Sequence, residues 1–125
     1  MNNNAQEIAT QFVQHYYTTF DTNRSQLAGL YRDTSALTFE TSQVAGVASI
    51  VEKLTSLPFE RLQHRTSSVE AQPVAGGSAI LILVTGQLLV DQESNPLSFA
   101  QAFTLAQDAS GQWYVANDIF KLVYA

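Results

Sequence analysis

The chain has 125 residues, a formal net charge of −5 and no cysteine; 46% of its residues are hydrophobic and 14% are charged. That length suits one domain over 1–125 with a single core. Missing thiols exclude a disulfide framework, a thiolate zinc site and a cysteine nucleophile, and His15 and His64 alone are too few for a multi-histidine metal centre.

The six basic residues are scattered along an acidic chain, so there is no electrostatic footprint for phosphate backbones and nucleic acid is excluded as an expected partner. The start, MNNNAQEIA, has no basic region followed by an apolar run, and the longest apolar stretch, 79–84, is too short to cross a bilayer. The expected location is therefore cytosolic or nuclear, without membrane insertion.

From Ile8, apolar residues at Phe12, Val13, Tyr16 and Phe20 recur near every 3.6 residues, which predicts an amphipathic helix of about four turns. Asp21 and Thr22 supply a stop and an N-cap. Leu27, Leu30 and Tyr31 mark a second, short helix ending before Asp33-Thr34-Ser35. Alternation over 36–41 predicts a strand that Gly46 breaks off. Val47, Ile50, Val51 and Leu54 then predict a third helix to about Thr55, stopped by Leu57-Pro58-Phe59. Beyond it the period changes to two, with strands over 62–72, 79–91, 97–107 and 112–124 joined by Gly-, Pro- and Asn-containing loops.

Helices first and a meander of long strands afterwards describe an α+β domain: three helices packed on a strongly curved, mostly antiparallel, cone-like sheet. The run Ala79-Ile80-Leu81-Ile82-Leu83-Val84 is apolar at every position, so both faces of that strand read as buried. Three helices cannot cover both faces. A second copy of the chain is the simplest cover, giving a sheet-to-sheet homodimer; the alternative is a strand inside a tightly curled sheet.

No Walker loop, dinucleotide fingerprint or G-x-S-x-G elbow is present, and no cofactor is expected. Aromatic and aliphatic residues gather around the third helix and its neighbours, namely Phe39, Leu57, Phe59, Leu62, Ile119 and Phe120. They read either as core or as the lining of a pocket. Acidic residues stand beside them: Glu40 follows Phe39, while Asp91 and Glu93 lie two apart where a strand runs into a loop. These are solvated loop acids, or an acidic rim suited to a partner that inserts a hydrophobic side chain between basic ones. Asp118 and His64 admit a catalytic alternative, an isomerase or dehydratase. It requires a closed pocket with one of them pointing inward beside a tyrosine, not tied to backbone.

At these residues the sequence resembles the nuclear transport factor 2 family, in particular its fungal carriers of the small GTPase Ran. The matching blocks are FDTNRSQLAGLYRD, LTFETSQ, IVEKLTSLPF, QHRTSS, VTGQLLVD and NDIFKL, which span almost the whole chain in order. The resemblance implies a cone-shaped α+β fold, a homodimer and no catalysis. It implies carriage of Ran-GDP through the nuclear pore between cytoplasm and nucleus. A phenylalanine of the GTPase switch region would plug a cavity carried over to Phe39, Leu57, Leu62, Ile119 and Phe120, while basic neighbours pair with a rim at Glu40, Asp91 and Glu93. The family's second rim Asp is here the longer Glu93. The family also contacts phenylalanine-glycine repeats of nucleoporins through an exposed aromatic near the start of the first helix. That place is held here by Ala5, without the ring.

Overall fold

The computed structural model describes residues 4–58, 61–91 and 95–123. Helix α1 (Asn4–Thr22) buries Ala5, Ala9, Val13, Tyr16, Tyr17 and Phe20 along one stripe, the face that the 3.6 spacing predicts. It stops where expected, but the next cap is Asn23: its Oδ1 accepts the Ser25 amide at 3.2 Å and opens a 3₁₀ helix, Arg24–Leu30, pinned by buried Leu27. Helix α2 (Val47–Thr55) follows Gly46, whose φ of +87° suits glycine, and buries Ile50 and Leu54.

Strand β1 (Tyr31–Phe39) is longer than the predicted 36–41 and contains the expected breaker Asp33-Thr34-Ser35. Ser35 keeps the strand going there. Its buried hydroxyl donates to the Val115 carbonyl and accepts the Arg32 amide across a register shift between Tyr31 and Ala36, so a turn-forming residue satisfies backbone groups inside a ladder. After Glu40-Thr41 the chain returns as a short strand, β2 (Ser42–Ala45), that alternation alone does not separate from β1.

Strands β3 (Leu62–Val74), β4 (Ala79–Val90), β5 (Leu97–Gln107) and β6 (Trp113–Leu122) form the expected meander. The six-stranded order is β2-β1-β6-β5-β4-β3, antiparallel throughout except for the parallel β1–β6 pair. Its curvature has a local cause. Ser67 is an extra residue in β3, and opposite it stands Gly86, where a Cβ would lie 2.2 Å from the Arg65 carbonyl oxygen. A bulge facing a side-chain-free position lets the two strands bend sharply together. Ala116 is a second extra residue, in β6.

Along the apolar run of β4, Ile80, Ile82 and Val84 are buried while Leu81 and Leu83 are 45% and 49% exposed. A sheet curled tightly enough to bury both faces within one chain is therefore not what forms. Ala102 pairs with both Leu83 and Ile119, so these three share the outer face, where Ile119 is also half exposed. The inner face packs on the helices and surrounds a cavity.

Candidate functional site

Inward-facing side chains of β1, β3, β4, β5 and β6, closed off by α1 and α2, surround a cavity of about 80 Å³ that widens to an open mouth. Of the predicted lining residues, Phe39, Leu57, Leu62 and Phe120 are on its wall. The Phe39 and Phe120 rings stack with centroids 4.7 Å apart, which fixes one side as a flat aromatic surface. Ile119 is a correction: β6 alternates, Asp118, Phe120 and Leu122 point inward, and Ile119 therefore faces out. The same period of two, applied to each strand, finds wall residues that clustering alone misses, including Leu37, Leu88, Val90, Leu97 and Leu122. Phe20, a helix core residue by its spacing, also reaches the cavity.

At the mouth, Glu40 and Asp91 each follow a wall residue, Phe39 and Val90. Both have positive φ, +60° and +52°, a left-handed conformation that costs a non-glycine residue roughly 1–2 kcal/mol. The two corners are built alike. The Glu40 amide donates to the Phe120 carbonyl at 2.9 Å, and its Oε1 accepts the Leu122 amide at 2.7 Å. The Asp91 amide donates to the Arg61 carbonyl at 2.7 Å, and its Oδ1 accepts the Arg61 amide at 2.9 Å. Each carboxylate is thus oriented through one oxygen by a backbone amide, that of Leu122 in β6 or of Arg61 just before β3. Lys121 Nζ stands 4.0 Å from Glu40 Oε2 with both side chains solvent-accessible, a contact of little energy. Glu93 and Phe59 lie outside the described residues.

The floor is polar. Asp118, 1% exposed, accepts from Gln101 Nε2 at 2.7 Å on Oδ1, and from Tyr31 and Tyr16 hydroxyls at 2.7 and 3.2 Å on Oδ2. Tyr17 donates to Gln101 Oε1 at 2.7 Å, which fixes the orientation of the amide. Burial pushes the Asp118 carboxyl up to about 6, opposed by hydrogen bonds from Gln101, Tyr31 and Tyr16. Burial, and then the Asp118 charge, holds the Tyr16, Tyr17 and Tyr31 phenols well above their ordinary value. His64 also lines the cavity. Its Nδ1 meets Asp21 Oδ1 at 2.7 Å, its backbone amide donates to Asp21 Oδ2, and its ring stacks on Tyr17 at 4.1 Å.

Asp118 therefore does point inward beside tyrosines, held by side chains and not by backbone, as the catalytic alternative requires. The extra residue of β6, Ala116, lies two positions before Asp118. Ala5, the position of the expected nucleoporin anchor, is 7% exposed inside the core and offers little surface. Among the described residues no cluster of three His, Asp or Glu side chains is arranged to hold a metal, and no helix is long and apolar enough to cross a membrane.

Comparison with known proteins decides between carrier and enzyme. The family model "Nuclear transport factor 2 domain" matches residues 8–122. A Neurospora crassa protein named nuclear transport factor 2 is 64% identical over 116 residues, 93% of each chain. The solved structure of nuclear transport factor 2 from Cryptosporidium parvum superposes with a TM-score of 0.91 at 41% identity, covering 98% of each chain. A putative scytalone dehydratase from Novosphingobium aromaticivorans covers 98% of this chain and 87% of its own at a TM-score of 0.77, but only 14% identity; it shares the fold alone. With its blocks, its cone-shaped sheet and these near full-length matches taken together, the chain belongs to the nuclear transport factor 2 family.

Proposed function

We propose that this chain is a nuclear import carrier, not an enzyme, that binds the GDP form of Ran at the mouth of its cavity and takes it through the nuclear pore between cytoplasm and nucleus. The observation that carries this reading is an apolar, aromatic-walled hole flanked by carboxylates, Glu40 and Asp91, each oriented by a backbone amide on a left-handed corner. Such a site suits a partner loop that inserts one hydrophobic ring while basic neighbours meet the rim. The family resemblance assigns Glu93, two residues after Asp91 in the sequence, to the same rim. GDP selectivity belongs to the partner, whose switch segment presents the ring in one nucleotide state only, so this chain need not touch nucleotide.

The working form is a homodimer through the outer sheet face, since Leu81, Leu83 and Ile119 form an exposed apolar row of the kind that marks a protein interface. Contact with phenylalanine-glycine repeats is weak in this protein, because Ala5 brings no ring and is buried. The deciding experiment is binding to Ran loaded with GDP against Ran loaded with GTP. Capture of the GDP form alone is expected; equal binding of both forms, or of neither, contradicts the proposal. Sedimentation at micromolar concentration tests the dimer, and a mass near the 13.7 kDa of one chain contradicts it.

A further inference from the structure

A hydrophobic plug explains the cavity's walls but makes no use of the charged group at its floor. Asp118 meets donors only, the Gln101 amide on Oδ1 and the Tyr31 hydroxyl on Oδ2, the surroundings of an ionised carboxylate; burial pushes its carboxyl up to about 6, still below neutral pH, and among the described residues no cation pairs with it. The cavity wall contains no lysine or arginine, and Glu40 and Asp91 at the mouth add further negative charge. A carboxylate has about four acceptor sites. Gln101 takes one on Oδ1 and Tyr31 one on Oδ2, while the single Tyr16 proton is shared between Asp118 Oδ2 at 3.2 Å and the Tyr31 hydroxyl at 2.5 Å, which leaves acceptor capacity on Oδ1.

We infer that the cavity is a binding site for a small organic cation, a primary amine carrying one ring, whose ammonium group donates to Asp118 Oδ1 while its ring lies between the aromatic walls. Electrostatics and shape agree on this class. An ammonium supplies the missing counter-charge in a low-dielectric place where an ion pair is strong. Tyr16 and Phe20 are among the cavity's lining, and an aromatic face turned to an ammonium favours a cation over a neutral head group. Along β6 the four steps from Asp118 to Leu122 span about 13 Å, so a one-ring amine seated on the floor is covered by the wall. An anion is repelled by the floor and the rim alike. This site is independent of the Ran reading, because its occupant is read on the isolated protein.

Benzylammonium is the probe, with benzyl alcohol as its neutral counterpart and benzoate as the anion, titrated by calorimetry at pH 7.5. Benzylammonium is expected to bind roughly tenfold tighter than benzyl alcohol or better, about 1.4 kcal/mol, with benzoate silent. Asp118→Asn should remove the preference. In that variant Gln101 can turn its amide over to accept from the side-chain amide introduced opposite it, so the network survives without charge. Should the variant fail to fold, the wild-type protein still decides by nuclear magnetic resonance. Shifts at the Gln101 side-chain amide place the amine on the floor. Shifts confined to the Glu40 side chain and the Leu122 backbone amide place it at the rim and overturn the proposal, as do equal affinities for the amine and the alcohol or no binding of benzylammonium.

Discussion

The floor and the mouth of one cavity carry the same functional group under opposite conditions. Asp118 is held among Tyr16, Tyr31 and Gln101 at the cavity floor, and burial drives its carboxyl up to about 6. Glu40 and Asp91 sit on solvent-reachable corners, each held through one oxygen by a backbone amide. A carboxylate in the interior is a matter of stability, because its charge must be met by donors from the chain. At the rim, screening by water makes it nearly neutral for stability and lets it serve a partner. Substitutions at the two ends should therefore separate: the floor moves folding, the mouth moves binding.

The largest effect is expected from the pH dependence of Asp118→Asn. The folded state raises the Asp118 carboxyl from its ordinary value near 3.8 to about 6, so the native protein holds that proton more tightly than the unfolded chain. Stability contributed by this group is full at low pH and falls as pH rises from about 4 to about 6, by about 3 kcal/mol in all. Urea unfolding across that window should show the wild type losing about 3 kcal/mol relative to Asp118→Asn. A difference that does not change with pH contradicts a carboxyl that burial makes harder to ionise in the folded state.

Tyr31→Phe comes next. It removes the shorter of the two hydroxyl contacts to Asp118 Oδ2, and about 1–3 kcal/mol of stability should go with it. The Asp118 carboxyl should titrate higher still, which carbon-13 chemical shifts of the carboxyl can follow. The smallest change in stability belongs to Glu40→Gln. The amide oxygen still accepts from Leu122, so unfolding should shift by less than about 1 kcal/mol while affinity for Ran-GDP falls. A loss of stability as large as that of Tyr31→Phe would make Glu40 a structural residue and blur the contrast between the two ends.

The long periodic elements are readable because one property decides them. Helix α2 runs from Val47 to Thr55, where its apolar spacing puts it, and β5 keeps the predicted 97–107 limits. Where two local rules compete, the sequence misleads: Asp33-Thr34-Ser35 looks like a turn, yet Ser35 satisfies the backbone from inside β1. Clustering groups Ile119 with Phe120 although neighbours in a strand cannot share a face, and the alternation that corrects this is visible in the sequence itself. For Phe39, Leu57 and Leu62, clustering leaves core and pocket open, and all three stand on the wall. The floor is harder to foresee. Asp118, Gln101, Tyr16, Tyr17 and Tyr31 come from β6, β5, α1 and β1, and only the closed sheet brings these polar side chains together. The positive φ angles of Glu40 and Asp91 are equally hidden, because nothing in an acidic residue announces a left-handed corner.

The most direct test of the acidic mouth is a calorimetric titration of Ran-GDP into Glu40→Lys, with circular dichroism confirming that the variant is folded. Reversing the charge that Leu122 orients places a cation against the partner's basic residues. The account predicts that the wild type binds and the folded variant gives no binding heat; capture by Glu40→Lys at wild-type affinity would contradict it.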